Sequence, residues 1–387
     1  MDTQVSPDLD INHLRAIKVL GKGATGTVFL VHHRISDPSA ASPFALKVVE
    51  KAPLLDAKVD ADRRARWELS LLRRLNNSPA TTSHPFLPTL LGSFETNDLI
   101  GWAIPFCPGG DLNVLRYNQS DHIFSPAVIR FYVAEIVCAL EKLHALGIVY
   151  RDLKPENILI QQSGHLTLTD FDLSRTLVKP TRHHDVVYEP EPLKQKTSKK
   201  TKNARVAPDS RRKPSPASNG ERANSFVGTE EYISPEVVRG EGHEFAVDWW
   251  ALGILAFEML HGTTPFRGKN KKDTFRRIVM MPPEFIGRPS TLTDLIGKLL
   301  EKDPTRRLGY RRGACEIKEH PFFHGLRWDL LTQLSRPPFL PSRELHELKQ
   351  SKSVDIREYF EKLRMPPLSL DSPAREECLY NVSLTEF

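Results

Sequence analysis

Eight consecutive residues constrain this chain more than any others: Tyr150-Arg151-Asp152-Leu153-Lys154-Pro155-Glu156-Asn157. They place a carboxylate, a cation and an amide within six residues of one loop. Asp152 can accept the hydrogen of an attacking hydroxyl, Lys154 can neutralise charge on a phosphate, and Asn157 can ligate a divalent cation. Asp170-Phe171-Asp172 stands thirteen residues beyond Asn157, behind the strand-like run Leu166–Thr169. A hard cation that bridges phosphates takes carboxylate oxygens, and Asp170 supplies one. Alone, Asp-Phe-Asp would read as a turn; its distance from Asn157 makes it a ligand candidate.

Upstream, Gly21-Lys-Gly23-Ala-Thr-Gly26-Thr-Val28 is a glycine-rich turn between strand-like runs. Glycines let backbone amides approach anionic oxygens closely. A dinucleotide site would need a helix to start at these glycines. Another strand, Phe29–His33, follows instead and favours a flap over phosphates; an ordinary glycine-rich hairpin is the plain alternative. Lys47 ends the apolar run Phe44–Lys47, where it either emerges into solvent or pairs inside. A buried ammonium needs a partner, and Glu68 on the helical stretch 61–75 is the candidate. Five nearby arginines leave open a solvated helix face for Glu68.

Residues 14–51 alternate as strands, and Trp67, Leu71, Leu72 and Leu75 recur at helical spacing. Helical patterns return at 126–146, stopped by Gly147, and at 235–265 and 290–301, with short strands and loops over 148–173. A strand-rich part therefore precedes a helix-rich part, with the boundary near 107–111. Residues 177–222 differ from both sides: twelve Lys and Arg, five Asp and Glu, and six prolines. The chain's net charge is +6, so this one segment holds the whole basic surplus and the rest is no general nucleic-acid binder. Its composition cannot offset ordering entropy, so disorder is expected there. Residues 333–387 read as a tail wrapped on the surface. The four cysteines form no C-x-x-C pair, which argues against a disulfide framework or zinc site. The polar N-terminus does not read as a signal peptide and no run spans a bilayer, so a soluble, intracellular protein is expected.

In order, these motifs resemble the protein-kinase signature set. Ser234-Pro235-Glu236, Asp248-Trp249-Trp250-Ala-Leu-Gly253 and Arg307 resemble its later markers, with Arg307 expected to pair with Glu236. Tyr150 at the head of the loop, Ser225-Phe226-Val-Gly-Thr229-Glu-Glu-Tyr, His320–Phe323 and Arg336–Pro341 resemble the AGC branch. Asp172 in place of glycine, with a long insert, is similar to the plant-specific AGC group and its UNICORN-like and oxidative-signal-inducible members.

The resemblance implies an α+β, bilobal kinase domain over 14–323: a β-rich N-lobe at 14–104, a hinge at 105–111 and a mainly helical C-lobe at 112–323. A disordered basic activation-segment insert (177–222) and an AGC-type tail (324–387) complete it. It implies a serine/threonine kinase using ATP and Mg2+. Leu20, Gly21, Gly23, Gly26, Val28, Ala45, Lys47, Glu68, Ile104, Cys107 and Asp111 would form the nucleotide site, Ile104 as gatekeeper, the Cys107 backbone as hinge donor and Asp111 toward ribose. Pro105 is tolerated because the hinge uses the carbonyl at that position. Asp152, Lys154, Asn157 and Thr229 would be catalytic, and Asn157 and Asp170 metal ligands. Ser225 would be the activating phosphosite, pairing with Arg151. Glu156 and Glu258 would read basic residues near a Ser/Thr acceptor; for Glu258 a helix-surface charge is the plain alternative. Asp172 is expected to cost backbone freedom and to add a carboxylate near the metal.

Ser383-Leu384-Thr-Glu-Phe387 matches the family's terminal F-x-x-F only in part, which bears on docking to the N-lobe or to an upstream phosphoinositide-dependent kinase. Lys194, Lys196, Lys199, Lys200 and Lys202 with Arg211-Arg212-Lys213 resemble a bipartite nuclear-import signal. Binding to an anionic membrane surface and a solvated spacer are the alternatives. The chain is expected to be a monomer of cytoplasm and nucleus, or peripheral at the plasma membrane. Tyrosine specificity is disfavoured by the Lys154 string. A pseudokinase scaffold is the competing class, and the presence of Lys47, Asp152, Asn157 and Asp170 argues against it.

Overall fold

The period-two apolar runs near the N-terminus pair as an antiparallel sheet in the computed structural model, which describes residues 8–23, 26–33, 43–51, 59–76, 83–177, 229–242, 244–334, 336–341 and 354–364. The chain divides into two compact units. The first runs to Gly109 and adds Ile160–Gly164 and the segments from Phe339 onward. Its strands are β1 (Leu14–Gly23), β2 (Gly26–His33), β3 (Phe44–Glu50), β4 (Gly92–Glu95) and β5 (Leu99–Pro105), in the order β1-β2-β3-β5-β4. Helix α1 (Val59–Asn76) packs on β3. Register sorts the side chains, because alternate residues face opposite ways. Val28 opposes Lys47, which opposes Trp102; Leu30 opposes Ala45, which opposes Ile104. These two rows share one face. The row Phe29, Leu46 and Ala103 lies on the other and is fully buried. At the free side of β4, the Leu9 amide donates to the Ser93 carbonyl at 2.9 Å.

The second unit comprises Gly110–Leu159 and His165–Pro338. Its helices are α2 (Leu112–Tyr117), α3 (Pro126–Ala145), α4 (Pro235–Val238), α5 (Ala246–His261), α6 (Lys271–Met280), α7 (Thr291–Leu299), α8 (Ala314–Lys318) and α9 (Leu331–Leu334). The short strands are β6 (Ile148–Val149), β7 (Ile158–Ile160), β8 (Leu166–Leu168) and β9 (Arg175–Thr176). Helix α3 starts where Ser125 accepts the Val128 amide, with Pro126 at its first position. It stops at Gly147, whose φ of +75° suits glycine. Helix α5 is buried almost all round, with Trp249 and Trp250 at 0% exposure. The helical reading of 235–265 needs correction. The helix breaks after Val238, where Gly240 turns at φ +71°, and resumes at Ala246.

The tail also departs from expectation. Part of it forms helix α10 (Ile356–Arg364), which belongs to the first unit. Ile356 and Phe360 are 3% and 4% exposed and join the hydrophobic cluster of Phe29, Leu46 and Ala103. Phe29 meets Tyr359 and Phe360 edge-on, with ring centroids 5.2 and 6.0 Å apart. Ala16 bridges Val354, and Arg364 pairs with Glu50 at 2.8 Å and Asp98 at 3.1 Å. Polar spacing in the tail sequence concealed that this segment completes a core rather than coating one. The expected insert at 177–222, except Leu177, lies outside the described residues, as do Ser225 and the terminal motif at 383–387.

Candidate active site

In the first unit, Lys47 and Glu68 are paired inside: Nζ and Oε2 are 2.8 Å apart and the side chains are 15% and 4% exposed. This overturns the solvent-facing alternatives for both. A buried charge pair persists only with good geometry, and Lys47 also lies 5.5 Å from the Trp102 ring centroid. Val28, Ala45 and Ile104 line the same sheet face as Lys47, offering an apolar surface beside a cation. Leu20 on β1 is 37% exposed. A Cβ on Gly26 would fall 2.5 Å from the Val48 carbonyl oxygen, so this glycine is required by packing. Gly21 and Gly23 have no such neighbour: nothing lies within 4 Å of a Cβ on the first, and only the Gly26 carbonyl oxygen, at 3.9 Å, on the second. Internal packing does not demand them, so the space over this turn is left open for a phosphate to approach the backbone. Cys107 follows β5, and burial pushes its thiol up to about 12.

In the second unit, Asp152 is 5% exposed. Its Oδ2 accepts from Asn157 Nδ2 at 2.8 Å and stands 3.0 Å from Lys154 Nζ. Asn157 Nδ2 also donates to the Asp152 carbonyl at 2.9 Å. Both amide hydrogens are thus engaged, and Asn157 Oδ1 is the atom left as an oxygen donor. The Thr169 amide donates to the Asn157 carbonyl at 3.0 Å, placing Asp170 one residue beyond that bond. Amide oxygen and carboxylate are hard donors of the kind magnesium takes. Asn157 and Asp170 therefore fit that ion.

Two residues here hold left-handed backbone: Arg151 at φ +69° and Asp170 at φ +55°. Such strain in non-glycine residues persists only where surroundings enforce it. Asp248 enforces the first. Its carboxylate, 0% exposed, accepts the amides of Tyr150 at 2.9 Å and Arg151 at 2.8 Å, and His144 Nε2 lies 2.7 Å away. Arg151 Nε in turn donates to the Leu173 carbonyl at 2.7 Å. Tyr150 bonds the Thr169 carbonyl through its hydroxyl, and its ring meets Phe171 edge-on at 5.3 Å. Asp170, not Asp172, is the residue of this motif that carries the left-handed conformation. Thr229 borders the same small cavity as Arg151 and Asp152.

Asp111 caps α2, its Oδ1 accepting the Val114 amide at 2.7 Å; burial raises its carboxyl against the lowering by these cap bonds. Glu258 is no surface charge. It is 14% exposed, 3.0 Å from Arg116 Nη2, and accepts the Tyr232 hydroxyl at 2.5 Å. Burial raises its carboxyl, with Glu156 and Glu231 adding to that and Tyr232 and Arg116 opposing it. Glu156 accepts from Asn113 at 3.2 Å. Arg307 grips Glu236 through two bonds of 2.7 and 2.8 Å, as expected. Sequence reasoning gave Asp248 no role beyond a marker and did not find Arg116, which lies 142 positions from Glu258. No spacing in the sequence signals either contact.

The geometry defines a phosphoryl-transfer enzyme's loop. The chain belongs to the protein kinase domain family, which matches residues 14–200 and 213–323. It is 55% identical to the serine/threonine-protein kinase UCN of Arabidopsis thaliana, over 98% of this chain and 96% of that one. It is 57% identical to UCNL from the same plant with the same coverage, and 44% identical to OXI1 over 88% of this chain and 82% of that one. It is a serine/threonine protein kinase of the plant AGC type, a family that in general uses ATP, Mg2+ and protein substrates.

Proposed function

We propose that this kinase transfers the γ-phosphate of ATP to serine or threonine beside basic residues, with Asp152 receiving the acceptor hydroxyl's hydrogen. The observation that carries this is the grip on Asp152 Oδ2 by Lys154 and Asn157. Those bonds fix one carboxylate oxygen and orient the other for the hydroxyl. As the new O–P bond forms and the β–γ bridge breaks, the hydroxyl proton passes toward Asp152, and Lys154 balances charge on the transferred group. Asn157 and Asp170 would hold magnesium, which neutralises phosphate charge when bound. In the first unit, Lys47, held by Glu68, would bind the α- and β-phosphates, and Gly21, Gly23 and Gly26 would present amides. Leu20, Val28, Ala45 and Ile104 would contact adenine, Cys107 would offer its backbone and Asp111 would reach ribose.

Basic-residue preference rests on Glu156 and Glu258, which stand among further acids; Arg116 pairs with Glu258, and Lys154 is the cation that acts on Glu156. Thr229 would position Asp152 and Lys154, and Ser225 would accept the activating phosphate. The basic run 194–213 would direct the chain to the nucleus as well as the cytoplasm, in a growth or stress signalling role, downstream of a phosphoinositide-dependent kinase. Phosphate incorporation from labelled ATP into an arginine-containing peptide tests the chemistry. Asp152→Asn should abolish it, and equal incorporation by both proteins would refute the base. Glu258→Gln should raise KM for that peptide and not for a neutral one. A reporter fused to residues 177–222 tests targeting, and a diffuse signal rejects it.

A further inference from the structure

Helix α6 and the loop after it expose side chains that neither the core nor the active site uses. Thr274 and Ile278, at 5% and 0% exposure, turn into the second unit. Lys272, Arg276 and Met280 recur at every fourth residue and form the opposite, outward stripe. Met280 is 71% exposed and Met281 40%. The following loop is anchored by Phe285, whose ring lies 5.6 Å from that of Phe257 on α5. With Phe285 turned inward, Ile286 points out and is 83% exposed.

Charge around these tips is predominantly basic. Residues 267–288 contain seven Lys and Arg against two acids, Asp273 and Glu284. Glu231 and Glu230 neutralise Arg267 at 3.5 Å and Lys271 at 2.6 Å. Arg276 and Arg277 share one carboxylate, that of Asp273. A cationic surplus remains around the apolar tips, carried by Lys269, Lys272, the arginine pair and Arg288.

We propose that this stripe and loop seat the protein on an anionic phospholipid bilayer. Met280 and Ile286 enter the interface while Lys272, Arg276 and Arg288 lie against head-group anions. Apolar tips framed by like-signed cations match an anionic surface over a hydrocarbon interior. A side chain as exposed as Ile286 is a convex tip. A fluid bilayer accepts it without a matching hollow, whereas a protein partner would need a preformed apolar pocket ringed by acids.

Flotation of the full chain with phosphatidylcholine vesicles, with and without about 30% phosphatidylserine, tests this. Wild type should float with the anionic vesicles and less so at high salt. Met280→Ser with Ile286→Ser, and separately Lys272→Glu with Arg276→Glu, should each weaken binding about five-fold or more, with peptide phosphorylation and melting temperature unchanged. Both variants retain residues 177–222, so binding as tight as wild type would place the affinity elsewhere and overturn the proposal. Failure of wild type to float would also overturn it. So would unchanged flotation with a selective loss of phosphorylation of whole proteins, which would mark a protein-docking face.

Discussion

Asp248 holds Arg151 in a left-handed conformation: its Oδ1 accepts the Arg151 amide at 2.8 Å while that residue sits at φ +69°. The bond comes from α5, 97 positions away, and fixes the residue directly before Asp152. Asp248→Asn would set an NH2 group against one of two amide donors in a buried site. Unfolding should become easier by about 1–3 kcal/mol. Loss of loop geometry should lower kcat by about 100-fold with little change in KM for ATP. Steady-state kinetics alongside thermal melting check both; an unchanged kcat would remove Asp248 from the positioning role.

The Lys47–Glu68 pair should behave as a unit. Lys47→Met leaves a glutamate at 4% side-chain exposure without its cation, costing about 3–5 kcal/mol if the carboxylate stays charged. Lys47→Met with Glu68→Leu should recover much of that stability yet stay inactive. A double-mutant cycle in denaturant measures the coupling; additive losses would show that the pair does not interact.

Glu236 gives stability a definite pH dependence. Burial pushes its carboxyl up, but the bonds from Arg307 more than offset this, so it lies below the ordinary glutamate value. A depressed folded value contributes stability above the unfolded pKa of about 4.3, which is lost as pH falls through the folded value. Urea midpoints should drop on acidification from about pH 5. Glu236→Gln should start lower and show a shallower acid decline. An equally steep decline in that variant would assign the effect to other carboxylates.

Phe360 tests whether the tail helix belongs to the core. It is 4% exposed and lies against Phe29 on β2. Phe360→Ala should cost about 3–5 kcal/mol. Exposed Lys362→Ala should cost less than about 0.5 kcal/mol. Equal melting temperatures for the two variants would return the tail to a surface role.

Local chemistry was legible in the sequence because it depends on spacing along the chain. Asp152, Lys154 and Asn157 lie within one turn-length segment, so their order alone implied a shared site. The strands of 14–50, α1, α3 and α7 followed from alternation, helical spacing and glycine stops. Contacts between distant segments were legible only where the family resemblance supplied them, as for Arg307 on Glu236; the others were not, since nothing in a local window encodes them. Asp248 under Arg151, Arg116 on Glu258, and α10 over Phe29 each join residues far apart in the chain. The sequence determined which side chains could carry the chemistry. Tertiary structure decided which of them are buried, paired and held still, because burial is what makes a charge require its partner and lets a strained backbone persist.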